Sequence, residues 1–278
     1  MRRLLPPVLA ALALFALGCQ ESGFDESKET SKPLKVQHAL GETKVPGQAK
    51  EPLTLTVDSL DDALALKVRP ARAAVPGAKL PAYLRSEGRG VPAMRPVTAS
   101  DLAAVEAEHA DLILGSASRQ GKLYPDLSKI APTVMTDGGG GQWKLNLRLI
   151  GEALGRTNDA EQLLIDYDRE AAETRRAIRA SGAAGARKPR VAVVRATADG
   201  GLRFAKRDSF AGTLLSDAGV AQVGTVADAD AVLLSSDPGA TRSVPGHPSR
   251  VDAELWWGAG GALAARTALS ELQRALAP

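Results

Sequence analysis

The order of predicted elements between residues 101 and 180 constrains the fold more than any other feature of the chain. Hydrophobic periodicity and turn residues indicate a helix, a strand at Asp111–Gly115, a helix at Lys122–Ile130, a strand at Pro132–Thr136 and a glycine loop. The near-continuous apolar run of the first strand is typical of a parallel strand that is covered on both faces. Strands that alternate with helices in this way predict an α/β fold, with a parallel sheet and right-handed crossovers.

Two further helices are predicted after the glycine loop. The first covers Gln142–Leu154 and is expected to end at Gly155, since glycine is common just beyond a helix. The second is expected to start at Asn158, with Glu161 completing a capping box, and to reach Ala180. Such a helix would be roughly 33 Å long. Its place between two α/β segments predicts a rigid link between two lobes.

The first lobe is expected to contain several more elements. Strands are predicted at Leu53–Val57, Ala71–Val75 and Ala93–Val97. A short helix is predicted at Leu60–Leu66, and Ser100 is expected to cap a helix over Asp101–Glu108.

The second lobe is predicted to be shortened. Strands are expected at Arg190–Arg195, Leu202–Phe204 and Ala231–Ser236, and a final helix at 261–276. Only seven residues separate Val223 from Ala231, whereas a parallel crossover needs a dozen or more. The proline-rich stretch at 237–249 does not favour a helix either. We therefore expect this lobe to lack a crossover helix.

The N-terminus predicts export and a lipid anchor. A basic head precedes an apolar run at Leu4–Leu17, which is too short for a membrane span of about 20 residues and fits a signal peptide over residues 1–18. The sequence Ala16-Leu17-Gly18-Cys19 resembles a bacterial lipobox, so lipid is expected on Cys19, the only cysteine of the chain. The polar stretch at 19–33 is predicted to be a lipidated tether.

Charge and cysteine content exclude several classes of protein. The formal net charge is +3, and loss of two arginines with the leader would bring it close to neutral. A mixed, near-neutral surface does not favour nucleic-acid binding. Because there is only one cysteine, no internal disulfide framework can stabilise the fold.

Three motifs together carry a family resemblance. They are Asp111-Leu-Ile-Leu-Gly-Ser-Ala-Ser-Arg119, Leu127-Ser-Lys-Ile-Ala-Pro-Thr133 and Trp143-Lys-Leu-Asn-Leu-Arg-Leu-Ile-Gly-Glu-Ala-Leu154. This stretch resembles the class III substrate-binding proteins of ABC importers, and in particular their ferric-siderophore (FecB/FepB-like) branch. Two blocks of the second lobe, at 209–215 and 254–261, are similar to the same family.

The resemblance implies a fold and a function. It implies two Rossmann-like lobes joined by a single long α-helix, with the lobes at 34–141 and 188–278 and a helical connection at 142–181. It also implies a non-enzymatic monomer, held by its lipid at the outer face of the cytoplasmic membrane. Such a protein would bind a ferric siderophore and deliver it to an ABC permease complex. No resident cofactor is expected, because the siderophore itself chelates the iron.

Candidate ligand residues lie in loops that follow predicted strands. In open α/β sheets, ligands bind outside the carboxyl ends of the strands. Arginines suit an oxygen-rich anionic chelate, and flat aromatic rings suit its apolar parts. The predicted ligand-binding residues are Tyr83, Ser116, Ser118, Arg119, Trp143, Arg203, Phe210 and Trp256. Trp257 is expected in the core instead.

Other functions are less well supported by the sequence. His38, His109 and His247 lie far apart, which does not favour a bare metal site. The glycine run at 138–141 lacks the Lys-Ser/Thr of a P-loop, and 115–119 is not a nucleophile elbow. Two alternatives remain open. The same fold could bind haem or a cobalamin, or the chain could be a degenerate lipoprotein that no longer transports. Two features support the degenerate alternative: the shortened second lobe, and the sequence Gln120-Gly121-Lys122, which lacks the permease-docking glutamate of the family, for which Glu87 or Glu161 would have to substitute. The aromatic residues and arginines of the predicted loops oppose it.

Overall fold

The computed structural model describes residues 32–182, 187–258 and 260–277, which contain two five-stranded sheets and a helical connection. The predicted signal peptide, Cys19 and nearly all of the predicted tether lie outside the described residues. No helix within the described ranges is long and apolar enough to cross a membrane.

The elements are numbered in chain order. The strands are β1 (Leu34–His38), β2 (Gly41–Val45), β3 (Pro52–Thr54), β4 (Arg72–Ala74), β5 (Ala93–Met94), β6 (Leu112–Ser116), β7 (Thr133–Thr136), β8 (Arg190–Ala196), β9 (Leu202–Phe204), β10 (Ala221–Gln222), β11 (Ala231–Ser236) and β12 (Ser249–Arg250). The helices are α1 (Val57–Ala65), α2 (Leu102–Glu106), α3 (Ala117–Gln120), α4 (Tyr124–Ile130), α5 (Trp143–Ala153), α6 (Thr157–Ala180), α7 (Phe210–Asp217) and α8 (Ala262–Leu276).

The first sheet has the order β5-β4-β3-β6-β7, and all of its neighbouring strands are parallel. Every residue of β6 is buried, as its apolar sequence predicts for a central strand that is covered on both faces. The predicted α/β class is therefore confirmed. An antiparallel hairpin of β1 and β2, which the sequence analysis did not predict, precedes this sheet and contributes Val36 and Val45 to the core.

Two helix starts differ from the predictions because different side chains cap them. Thr56 caps α1 and Ser59 returns the bond to the Thr56 backbone, so the helix begins at Val57 and β3 is shorter than predicted. Thr98, rather than Ser100, caps the turn that leads into α2, and the Asp101 carboxylate accepts the Thr98 backbone N–H at 2.8 Å.

The predicted capping box at the start of α6 is also wrong. The helix begins at Thr157, and no side chain caps it. Arg148 of α5 engages the Glu161 side chain with two hydrogen bonds, of 2.6 and 3.2 Å, so this carboxylate is not available to the helix terminus. Gly155, by contrast, adopts a φ of 69° and ends the preceding helix region as predicted.

The second sheet has the order β10-β8-β11-β12, and β9 pairs antiparallel with the last residues of β8. As predicted, no helix lies between β10 and β11 among the described residues. The short link is possible because β10 has only two residues. It ends at Gln222, opposite Val191, and β11 begins at Ala231, opposite the same residue. The chain therefore crosses from one side of β8 to the other near the start of that strand, and it does not have to run back along a whole strand first.

Helices connect the two lobes into one core. The 24-residue helix α6 is the covalent link, and it packs against α5, α7 and α8. A single cluster of buried apolar side chains extends from Leu112 in the first sheet, through Leu147 and Tyr167, to Val191 in the second. Lys144 and Tyr167 both contact the Asp217 carboxylate, at 3.1 and 2.9 Å, and so tie the connection to α7.

The last helix returns to the first lobe. Its first backbone N–H groups are accepted by two buried carboxylates of α1. Leu263 and Ala264 donate to Asp61 at 2.7 and 2.9 Å, and Ala262 donates to Asp62 at 3.0 Å. These bonds satisfy donors that have no partner within the helix, and the carboxylates lie at its positive end. The contact joins the first lobe to the C-terminal end of the chain.

Candidate functional site

A cavity of about 560 Å³ lies between the two lobes. Its first-lobe wall follows the carboxyl ends of three neighbouring parallel strands, β3, β6 and β7, as expected for a ligand site in an α/β sheet. The lining residues of this wall are Asp58, Ser116, Ser118, Arg119, Gly138 and Gly140. The second-lobe wall is formed by Arg203, Phe204, Ala205, Lys206, Ser209, Phe210, Trp256, Trp257 and Gly258.

Close backbone approach shapes the first-lobe wall. Ser116 and Ser118 have their hydroxyl oxygens 2.9 Å apart, where β6 leads into α3. Gly138 has a φ of 83°, and a Cβ at this position would lie 2.3 Å from each of these oxygens. A glycine is therefore required for the loop after β7 to pack over the two serines.

The second-lobe wall is built differently from the predicted strand-end loops. Arg203 and Phe204 belong to β9, which runs antiparallel to β8. Ser209 then caps α7 by accepting the Gly212 N–H at 3.3 Å, and Phe210 is the first residue of that helix. The chain thus brings a guanidinium and two phenyl rings to the cavity along one short stretch.

Two adjacent tryptophans complete this wall from a π-helical turn at Glu254–Gly258. Trp256 is almost fully buried, and its indole N–H donates to the Glu271 carboxylate of α8 at 2.7 Å, which fixes the ring. Trp257 is half-buried at the cavity. The expectation that Trp257 belongs to the core is therefore corrected, because this partly buried residue packs against the core and also lines the cavity.

Positive charge prevails among the ionisable groups of the cavity. Arg119, Arg203 and Lys206 are all exposed at its surface, and Asp58 is the one acidic residue among the lining side chains. Burial raises the pKa of Asp58 to about 6, and the nearby Arg119 guanidinium opposes that rise. The three cations of the cavity therefore attract anionic groups. Asp58 provides one carboxylate that can accept a hydrogen bond.

Six of the eight predicted ligand residues line this cavity. They are Ser116, Ser118, Arg119, Arg203, Phe210 and Trp256. They come together because the strand ends of the first lobe face β9, the start of α7 and the π-helical turn of the second lobe across the same space.

Two predicted ligand residues lie elsewhere. Trp143 is 0% exposed, and its ring packs edge-on against Tyr167 and Phe210, with centroids 4.7 and 6.5 Å apart, so it supports the cavity wall from behind. Tyr83 borders a separate groove beside α6 and α8, where its hydroxyl is buried next to Asp61. Both residues are aromatic, and a large ring suits a core as well as a cavity.

Sequence analysis missed Asp58 and Lys206. Asp58 lies in the first turn of α1, directly after β3, and so follows the same strand-end rule that found Ser116. The predicted strand at Leu53–Val57 ends just before Asp58, so the rule applied to this residue, although it is not among the predicted ligand residues. Lys206 follows β9 by two residues and carries no comparable pattern.

The three histidines are dispersed in the structure. The His38 ring bonds to the Thr43 hydroxyl at 2.9 Å within the β1–β2 hairpin, and burial lowers its pKa. Within the described ranges, no group of three or more His, Cys, Asp or Glu side chains is arranged to hold a metal ion.

Comparison with known proteins agrees with this architecture. A family model described as "Periplasmic binding protein" matches residues 54–240, which is more than half of the chain. The chain belongs to the periplasmic binding protein family. The match includes both walls of the cavity except for the π-helical turn.

The chain is also similar to curated proteins and to solved structures. The chain is 29% identical over 215 residues to the "Probable siderophore-binding lipoprotein YfiY" of Bacillus subtilis (strain 168). That alignment covers 76% of this chain and 64% of the relative, so the chain spans slightly less than two thirds of the relative's length. It is 35% identical over 117 residues to an achromobactin-binding periplasmic protein of Dickeya dadantii (strain 3937), covering 41% and 38% of the two chains.

Among solved structures, Staphylococcus aureus SirA complexed with staphyloferrin B superposes with a TM-score of 0.75 and 25% identity, covering 87% of this chain and 98% of that chain. The petrobactin-binding protein YclQ from Bacillus subtilis gives a TM-score of 0.72 at 20% identity, covering 89% and 99%. The class III two-lobed fold predicted from the sequence is thus confirmed.

Proposed function

We propose that this protein captures a ferric siderophore outside the cytoplasm for ABC-type import. The observation that carries the proposal is the cavity between the lobes, where Arg119, Arg203 and Lys206 face aromatic rings. Cations of this kind bind the oxygens of an anionic chelate, and Phe210 and Trp257 offer apolar surface to the rest of it. The volume of about 560 Å³ lies within the usual range for small-molecule sites.

The relatives support the same ligand class. The two curated relatives are named for binding a siderophore and achromobactin, and the two solved structures are named for staphyloferrin B and petrobactin. A siderophore carries its own iron ligands, so the protein needs to recognise only the outside of the complex. The exposed arginines of the cavity fit this mode of binding. We therefore propose binding without catalysis and without a resident cofactor.

We further propose that the protein acts as a monomer, anchored by lipid on Cys19 at the outer face of the cytoplasmic membrane. The lipobox-like sequence and the lipoprotein relative support this location. A Cys19→Ser variant expressed in bacteria is expected to leave the membrane fraction and to lose radiolabelled palmitate. Retention of both label and membrane association would contradict the anchor.

A second candidate function is a degenerate lipoprotein that no longer docks on a permease. It is favoured by the region after Arg119, where Gln120 is buried and bonds to the Leu55 carbonyl rather than presenting a carboxylate. Glu87 and Glu161, the possible substitutes, are both ion-paired, with Lys67 and Arg148. This candidate differs from the first because it neither captures a ligand nor delivers one to a permease, and a folded protein that binds no ligand of the panel would support it.

Tryptophan fluorescence tests the proposal, because Trp256 and Trp257 lie at the cavity. Residues 34–278 would be titrated with a ferric trihydroxamate, a ferric catecholate, haemin and a cobalamin, each corrected for inner-filter absorption. Saturable submicromolar quenching by a ferric chelate, but not by its iron-free form, is expected.

The other outcomes separate the alternatives. Quenching by haemin or the cobalamin alone would contradict the siderophore proposal and assign a different bulky ligand to the same fold. A flat response from a folded protein would favour the degenerate lipoprotein.

A further inference from the structure

The carboxylate of Asp58 lacks a structural partner in the cavity wall. It lies in the first turn of α1 and lines the cavity, yet its Oδ1 is buried and accepts no hydrogen bond within the described part of the chain. The two other aspartates of the helix differ, because Asp61 and Asp62 both accept backbone N–H groups of α8. A buried acceptor without a donor is costly, so its presence calls for an explanation.

Helix capping does not explain Asp58. The side chain of Thr56 already accepts the Ser59 N–H at 3.1 Å, and Ser59 returns a bond to the Thr56 backbone. The positive end of α1 favours a nearby carboxylate in general terms. It supplies no bond to Oδ1, however.

The cations of the cavity do not neutralise Asp58 directly either. Arg119 lies near enough to favour the ionised form of Asp58, but among the described residues no ion pair joins Asp58 to a cation. The other charged groups that act on this part of α1 are the carboxylates of Asp61 and Asp62, which have the same sign. Across the cavity, Arg203 and Lys206 are exposed and available to anionic groups of a ligand.

We propose that Asp58 accepts a protonated amine of the ligand, so that the site selects ferric chelates that carry an ammonium group as well as anionic oxygens. This inference rests on the proposed function. A charge-assisted hydrogen bond from N–H⁺ to a carboxylate is short and strong, and it would give the buried acceptor the donor that it lacks. The three cations would meanwhile bind the oxygens that coordinate the iron, which carry negative partial charge. Asp58 thus acts as a specificity-determining residue.

The preference of the cavity for an ammonium-bearing chelate is expected to depend on pH. Burial raises the pKa of Asp58 to about 6, so the group is mostly ionised at pH 7.5 and mostly protonated at pH 5. A ligand ammonium group keeps its charge across this range. The preference for an ammonium-bearing chelate is therefore present at pH 7.5 and lost as the pH falls through 6.

Two ferric trihydroxamates provide matched probes. Ferrioxamine B carries a pendant ammonium group, and its N-acetyl derivative has the same iron centre without that charge. The dissociation constants of both would be measured by tryptophan quenching for the wild type, Asp58→Asn and Asp137→Asn. Asp137 is an exposed residue after β7 that does not line the cavity, so its variant is a control for the loss of one negative charge.

The wild type is expected to bind ferrioxamine B about tenfold more tightly than the acetylated form at pH 7.5, which is the value of one charge-assisted hydrogen bond. The preference should persist in Asp137→Asn and disappear in Asp58→Asn. It should also disappear in the wild type at pH 5, a measurement that does not depend on the folding of any variant.

Equal binding of the two probes by the wild type would overturn the inference, as would an unchanged preference in Asp58→Asn. An equal loss in Asp137→Asn would overturn it too, because the effect would then be one of general charge. Binding without preference contradicts this inference alone. No binding of either probe or of any ferric chelate in the fluorescence panel contradicts the proposed function as well.

Discussion

The three aspartates of helix α1 lie in two different environments. Asp58 faces the cavity, whereas Asp61 and Asp62 are fully enclosed where α8 meets the first lobe. Asp61 accepts two backbone N–H bonds from α8, and Asp62 accepts one. Burial raises the pKa of Asp61 to about 7 despite these bonds, and it raises the pKa of Asp62 as well. The contact between the first lobe and α8 is therefore sensitive to protonation near neutral pH.

Asp61 predicts a specific dependence of stability on pH. Its pKa is higher in the folded protein than in the unfolded chain, so the folded state takes up a proton first as the pH falls. The free energy of unfolding should therefore rise by about 1 kcal/mol from this group between pH 8 and pH 6.5, and this gain is lost as the pH rises through 7. Urea denaturation of the wild type and Asp61→Asn at both pH values measures the effect.

The variant should show a smaller rise than the wild type, because asparagine does not titrate. Asp126→Asn, which replaces an exposed aspartate of α4, serves as the control and should keep the wild-type dependence. A wild-type free energy of unfolding that falls between pH 8 and pH 6.5, or an unchanged slope in Asp61→Asn, would show that this carboxylate is already ionised throughout.

The position of the candidate site was predictable from the ends of the strands, but the depth of each aromatic ring was not. Ser116, Ser118 and Arg119 follow a recognisable buried strand, and such positions meet at the edge of a parallel sheet. Trp143 also follows a predicted strand, after the glycine loop, yet its ring is buried in the core, and Tyr83 borders a separate groove. A large ring gains as much from a core as from a cavity, and the sequence does not distinguish the two.

The corner between helices α5 and α6 depends on one glycine. Gly155 has a φ of 69°, in the left-handed region, and a Cβ there would lie 2.2 Å from the Gly47 carbonyl oxygen. The corner thus combines a backbone conformation that favours glycine with close packing against the loop that precedes β3. It sets the direction in which the long helix leaves the first lobe.

Substitution of Gly155 by alanine should destabilise the protein more than the same change at Gly246. Gly246 also has a positive φ, of 86°, but a Cβ there would meet nothing within 4 Å. Both variants carry the backbone strain of about 1–2 kcal/mol, and only Gly155→Ala adds the clash with the Gly47 backbone. Chemical denaturation should therefore show a loss at least about 1 kcal/mol larger for Gly155→Ala.

Equal losses at the two glycines would mean that the Gly47 loop moves aside at no cost. The corner would then not fix the path of α6.

Long periodic elements were predictable from the sequence, while their boundaries were not. Helix α6 was found because its apolar positions recur over many turns. Its start was misplaced because Glu161 bonds to Arg148 of a neighbouring helix, a contact that sequence spacing does not reveal. The short β10 likewise gave no pattern, and only the structure explains how β10 and β11 are joined without a helix.

At the scale of the whole molecule, the two lobes are held together by more than the covalent helix. Helix α8 extends from the second lobe to the carboxylates of α1, and its Arg266 forms a bidentate ion pair with Glu170 of α6. The glycine loop also contacts α7, where the Thr213 hydroxyl donates to the Gly141 carbonyl at 3.3 Å. These ties favour a largely preformed cavity and a small hinge motion on binding.

We propose above that the cavity between the lobes binds a ferric chelate through its cations. The most direct test is equilibrium dialysis of a radioactive ferric chelate that quenches the wild type. It would be repeated with an Arg119→Glu/Arg203→Glu double variant and with Arg242→Glu as the control for charge reversal at an exposed position away from the cavity.

The wild type and the control variant are each expected to bind one chelate per molecule. The double variant is expected to bind at least a hundredfold more weakly, because two charge-assisted contacts become repulsive. Circular dichroism would verify that each variant is folded. Undiminished binding by a folded double variant would contradict the account, because the ligand would then be held somewhere other than between these two arginines.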